Sequence, residues 1–273
     1  MRWSAERGMI LNSIISMMGG DLPTGAYTLA YSTVVTSRGG SLTANELNYL
    51  TIFENSIGSD LAEFDRLWIH GLSDSVAART SFVNPSSTMI TAVNSPTFSA
   101  NRGYQGNGSN YLNTNFTPST QAVKSTQNSS SIFIYSRTNI AANNIDIGAI
   151  DGSNKSFIYT RHSNGNVFYP VNVSVFVGSP STAMADSRGL SVANINSTTL
   201  SLNKNGVQII STTITPVAIP SIPFYLLASN NNSTAVEYST RQISISGIGS
   251  GVINQSNFYN AVQALGTSIG WAV

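Results

Sequence analysis

Cysteine is absent from this 273-residue chain, so it offers no disulfide framework, no thiolate nucleophile and no cysteine-ligated zinc site. Charge is nearly as scarce. Asp, Glu, Lys and Arg make up 9% of the residues, against about a quarter of an ordinary globular chain. The 13 basic and 12 acidic residues leave a net charge of +1. They are scattered singly, which gives no electrostatic footprint for nucleic acid or anionic lipid. Long apolar runs are missing too. The patch Met9–Met18 is interrupted by Asn12, Ser13 and Ser16 and is too short for a membrane span. No Gly-x-Ser-x-Gly elbow occurs, and Gly103, Gly106 and Gly108 have the wrong spacing for a phosphate loop. The two histidines, His70 and His162, lie far apart, with no second histidine at ligand spacing.

What remains is apolar and turn-rich. Hydrophobic residues reach 41%, enough for a real core, so the abundant Ser, Thr and Asn are expected on the outward faces and corners of sheets. The stretch from Asn94 to Pro118 sets Phe98, Tyr104, Tyr111 and Phe116 between Asn-Gly, Gly-Tyr and Ser-Asn turns. Short apolar beats between turn residues describe strands and corners. Tyr104 and Tyr111 are expected to point inward. Asp151-Gly152, Asn164-Gly165 and Asn205-Gly206 are hairpin signals. Val171, Val173, Val175 and Val177 alternate onto one face, as do Ile243 and Ile245. FDRLWIHGL (64–72) reads as a buried strand, and Tyr27–Val35 as a further strand. Thr43 and Glu46 form a capping box ahead of Leu47, Leu50, Phe53, Ile57 and Leu61. A second amphipathic helix carries Phe258, Val262, Leu265 and Ile269, with Ser256 as its expected cap.

The helix after residue 43, the strand FDRLWIHGL, the stretch VNSPTFSANRGYQGNGSNYLNTNFTPS (93–119) and the closing Ile243–Ile248 strand with FYNAVQALGTSIG together resemble a group of bacteriophage and prophage virion proteins. Their main domain is a concanavalin A-like (laminin-G-like) sandwich. The resemblance implies a mainly β, antiparallel jelly roll with short helices at its N- and C-terminal ends. It divides the chain into an assembly leader (1–42) and a sandwich domain (43–273). It further implies a non-enzymatic structural protein of the virion, as fibre, tail or capsid-decorating component. Its partners would be other virion proteins, copies of itself and host-surface glycans, without membrane insertion. The leader residues Met9, Ile10, Ile14, Met17 and Met18 would bury against a neighbour. The alternative is a soluble carbohydrate-binding or glycan-degrading jelly-roll module.

Few residues stand out for chemistry. Related jelly-roll hydrolases carry Glu-x-Asp-x-x-Glu on one strand face. Here Glu63-Phe64-Asp65 lacks the last acid, with Trp68 in its place. Both acids are therefore expected to be solvated, with Arg66 as partner. No cofactor is required. The weak calcium candidates are Asp146, Asp151 and Asn154, oxygen donors beside an Asp-Gly turn. For a glycan, the candidates are the rings of Tyr159, Phe168, Tyr169 and Tyr225 with the amides of Asn143, Asn144 and Asn164.

Overall fold

The computed structural model describes residues 25–174 and 181–273. The leader candidates Met9, Ile10, Ile14, Met17 and Met18 lie outside the described residues, as do Val175 and Val177. Large antiparallel sheets packed sandwich-like, with several helices, make up the fold. The central sheet has eight strands. Val207–Thr213, Thr199–Lys204, Gly189–Asn196, Ser129–Ser136 and Gln242–Gly249 follow one another across it. One half of Gln242–Gly249 then pairs with Gly103–Gln105 and the other half with Phe64–Ile69. A second, seven-stranded sheet runs Thr234–Val236, Ser229–Asn231, Ile147–Asp151, Tyr225–Leu226, Tyr111–Asn113, Thr91–Val93, with Asn154–Ile158 also paired to Ile147–Asp151. Asn205 and Gly206, at φ 50° and 78°, supply the tight turn of the 199–213 hairpin.

Away from its exposed edge strand Val207–Thr213, the central sheet is buried on both faces, so the Ser, Asn and Gly between its apolar residues are covered as well. Along Ser129–Ser136, Ile132 and Ile134 pack toward the second sheet with Leu112, Ile147, Ile158 and Leu226. Phe133 and Tyr135 face the opposite way, onto helices. Phe64–Ile69 is buried throughout, with Trp68 on the sheet side and Leu67 and Ile69 on the helix side. Ile243 and Ile245 do not share a face, contrary to the alternation read above. The register shifts between them, so Ile243 enters the inter-sheet core and Ile245 the helical side. A bulge of this kind reverses the facing of every later residue.

Three longer helices cover the second face. Helix α1 (Ala26–Ser37) replaces the strand expected there. Its cause is tertiary: the Glu54 carboxylate accepts hydrogen bonds from Tyr27 N (3.0 Å) and Thr28 N (2.8 Å), capping the first turn. Tyr31 and Val35, one turn apart, are fully buried. A Cβ on Gly25 would fall 2.0 Å from Glu54 Oε2, so glycine is what lets the carboxylate reach the helix end. Helix α2 (Ala44–Ile57) starts with the expected reciprocal capping box of Thr43 and Glu46. Helix α3 (Gln255–Ile269) is capped by Asn254, whose side chain accepts from Asn257 N at 3.0 Å, not by Ser256. Phe258, Val262 and Leu265 bury its stripe against Phe64 and Phe133. Among the described residues no helix is long and apolar enough to cross a membrane.

In the Asn94–Pro118 stretch, Tyr104 points inward beside Phe98 (5.1 Å) and His70 (6.1 Å). Tyr111 does not; it lies half-buried on the outer face of the second sheet, 4.4 Å from Tyr225. His70 is fully buried between Ala78 O (2.9 Å) and Ser246 Oγ (2.8 Å). Burial pulls its pKa from 6.5 down to about 4. An unfolded chain therefore takes up this proton first as pH falls. The stability owed to the neutral ring is complete above pH 6.5 and is lost as pH drops toward 4, by roughly 3 kcal/mol from the size of the shift. Urea titrations of the wild type and His70→Gln between pH 4 and 7 check this, because the variant should lack that slope.

Candidate functional site

One end of the second sheet gathers the loops 139–146, 159–168 and 237–241 around a buried ion pair. Arg241 and Asp146 are both wholly buried. Arg241 Nη1 donates to Asp146 Oδ1 (3.1 Å) and Oδ2 (3.2 Å). Its Nη2 donates to the carbonyls of Ile140 and Arg161, each at 2.6 Å. The Asp146 carboxylate also accepts from Thr160 N (3.1 Å), Thr160 Oγ1 (2.6 Å) and Ser239 Oγ (2.7 Å). A carboxylate so engaged, with a guanidinium bonded through both terminal nitrogens while its buried Nε is left without a partner, fixes the relative positions of three loops.

Above this anchor sits an aromatic and amide rim. Tyr159, buried at 1% exposure, lies edge-on to His162 (5.3 Å) and Phe168 (5.8 Å), and these two rings meet at 5.1 Å. The Tyr159 hydroxyl donates to Glu237 Oε2. Burial first, and this bond second, push the phenol well above its usual range. Glu237 is exposed and holds a left-handed backbone, φ 53°. Its carbonyl accepts from Ile145 N at 2.9 Å. Ser163 Oγ donates to Asn143 Oδ1, and Asn164 N to His162 Nδ1 at 3.3 Å. Asn143, Ser163 and Asn164 are exposed, while Asn144, His162 and Phe168 are half-buried.

Five of the seven glycan candidates thus converge here: Tyr159, Phe168, Asn143, Asn144 and Asn164. Tyr169 does not. It is fully buried in the inter-sheet core. Tyr225 stacks instead on Tyr111, which in turn meets Tyr238 at 6.2 Å. His162 and Glu237 were not among the glycan candidates. The signal for His162 was its place two residues before Asn164-Gly165; nothing local marked Glu237.

The remaining candidates have other occupations. Asp146 is the buried partner of Arg241. Asp151, at the far end of the same strand (about 16 Å for five residues), accepts from Ser221 N at 3.0 Å and from its hydroxyl. Asn154 opens the returning strand opposite Asp151. The structure therefore separates Asp146 from the other two donors. Among the described residues no group of three His, Asp or Glu stands together. Asp65 is not solvated. It is 2% exposed and accepts from Val123 N (2.7 Å), Lys124 N (2.9 Å) and Ser125 N (2.8 Å). Arg66 donates to the Asp65 carbonyl rather than its carboxylate, and lies 4.6 Å above the Phe116 ring.

No family model matches the chain, and no curated protein sequence matches it. Solved structures do. A Trypanosoma rangeli sialidase mutant displaying trans-sialidase activity is similar at a TM-score of 0.53 and 9% identity, over 81% of this chain and 38% of that one. The botulinum neurotoxin serotype G binding domain gives 0.48 at 13% identity, over 73% and 51%. Domain 4 of an extracellular arabinanase from Geobacillus stearothermophilus, in complex with arabinotriose, gives 0.47 at 13%, over 74% and 98%. The chain spans well under half of the sialidase. At such identities the likeness is one of fold. The similar structures include carbohydrate-active proteins, and no phage protein stands among them. The expectations of a virion component and of a chain without enzymatic character are corrected accordingly.

Proposed function

We propose that the chain is a carbohydrate-binding domain of the concanavalin A-like jelly-roll type, which holds a glycan on the 139–144, 162–168 and 237 rim. The observation that carries this reading is the convergence of exposed amides, one carboxylate and ring edges on a rigid ion-paired base. A sugar presents an apolar C–H face and a belt of hydroxyls. Phe168 and His162 supply ring surface for the first. Asn143, Asn164 and Glu237 supply donors and acceptors for the second. One Glu237 oxygen already accepts from Tyr159, which orients the carboxylate and leaves its other oxygen for a hydroxyl. The Arg241–Asp146 pair sets these loops before the ligand arrives, so little ordering cost falls on binding. The fold shared with a sialidase and an arabinanase domain supports the same class.

The test is calorimetric titration of the wild type against a panel of oligosaccharides, with product analysis of each mixture to detect cleavage. Phe168→Ala and Glu237→Gln are expected to weaken the best ligand at least tenfold while leaving the circular dichroism unchanged. Binding that is equally strong in both variants, or no binding to any panel member, would overturn the assignment.

A further inference from the structure

Beside this rim, on the central sheet's side, lies a second concavity of about 520 Å³, lined among others by Met184, Asp186, Arg188, Lys204, Asn205 and Val273. Its charges are unusually distributed. Among the described residues Asp186 is the only acidic side chain in the lining, and Arg188 occupies both its oxygens. The Arg188 backbone N (2.8 Å) and Nε (3.2 Å) reach Oδ1, while Nε (3.0 Å) and Nη2 (2.7 Å) reach Oδ2. Lys204 is left with uncharged acceptors: its Nζ donates to Ser187 O at 3.2 Å and to Ser191 Oγ at 3.3 Å. An ammonium has three donors, so one remains for a ligand. For a half-buried cation whose direct hydrogen-bond acceptors are neutral, an anion entering the cleft is a favourable partner.

We propose that this cleft is a binding site for a small carboxylate, with Lys204 and the outer edge of the Arg188 guanidinium as its cationic contacts. The space suits a sugar acid better than a bare ion. Met184 N donates to Gly165 O (2.8 Å), and Ser187 Oγ donates to Thr138 O (2.8 Å). The cleft wall is thereby joined to the loops of the rim without sharing its residues. Burial lowers the Lys204 ammonium to about 8. The charged groups acting on it are Asp186 and the buried Asp146, which both favour its charged form, with Arg188 facing the same space. Asp186 stays ionised and Arg188 charged from pH 6.5 to 9.5, so of these three groups Lys204 alone titrates between the limits.

The experiment titrates the full chain with galacturonate, galactose, acetate and inorganic phosphate at pH 6.5 and 9.5, followed by ligand-observed NMR. Galacturonate is expected to bind at pH 6.5 and to weaken at least tenfold at pH 9.5. Lys204→Met should produce the same loss at pH 6.5. Arg188→Gln, at an exposed position that leaves the fold intact, should weaken it several-fold. Acetate competing with galacturonate identifies the carboxylate as the recognised group. Any binding of the neutral sugar galactose, assigned to the rim, should be unaltered in both variants, so failure of the rim and failure of the cleft read out separately. The proposal is overturned if galacturonate does not bind at pH 6.5, if phosphate displaces it more effectively than acetate does, or if neither variant changes its affinity.

Discussion

Replacing Arg241 by methionine should destabilise the protein by about 3–5 kcal/mol, the usual consequence of leaving one member of a buried ion pair uncompensated. Asp146 would keep Thr160 and Ser239 as donors but lose both bonds from Nη1. The carbonyls of Ile140 and Arg161 would lose Nη2 as well. The damage should be concentrated at the three loops that the guanidinium joins. Amide hydrogen exchange is therefore expected to rise at 139–146 and 159–162 more than in Ser129–Ser136. Removing both charges, as Arg241→Met with Asp146→Leu, should cost less than the sum of the single changes, because no isolated charge is left behind. Chemical denaturation of the four proteins completes the cycle. Equal stability of Arg241→Met and wild type would show that the pair does not hold the loops.

The second large effect is expected at Asp65. Its carboxylate accepts three consecutive backbone N–H groups, from Val123 to Ser125, and so ties a surface turn to the buried strand Phe64–Ile69. Charge-assisted bonds of this kind are worth about 1.5–3 kcal/mol each. Val123 is 81% exposed, so part of the loss can be recovered by water. Asp65→Ala is therefore expected to cost about 3 kcal/mol rather than the full sum. Asp65→Asn keeps one acceptor oxygen and should cost about half as much. Thermal melts of the two variants check the order. If Asp65→Asn and Asp65→Ala were both neutral, the turn would have to be held by other contacts.

What could be read from the residues alone divides by range of interaction. Helix α2 was legible because its cap, Thr43 with Glu46, is four residues long and self-contained. Strands such as Ser129–Ser136 and Phe64–Ile69 were legible from their short apolar cores, Ile132–Tyr135 and Leu67–Ile69. Helix α1 was not, because Glu54, which caps it, lies 26 residues from Thr28, and the local sequence is β-branched. The reversal between Ile243 and Ile245 depends on a bulge against Ser129–Ser136, and no local residue dictates it. At the site, amide-rich turns beside Tyr159 and Phe168 were enough to place five of the rim's residues. Asp146 was legible only as a weak calcium candidate, because its ion-pair partner, Arg241, is 95 residues away. The resemblance to phage proteins followed fold-making turns such as Gly103 and Gly106, which stand close against the backbone at Ile243 and Ser239. Such residues mark a sandwich rather than its task.

The central claim, that the rim is where a glycan is held, is tested most directly by backbone-assigned NMR of the intact chain during titration with the best oligosaccharide of the panel. Perturbed amides are expected at 139–144, 162–168 and 237–238, with Ala26–Ser37 and Val207–Thr213 unmoved. Perturbations that cluster on either of those two segments and spare the rim would contradict the account.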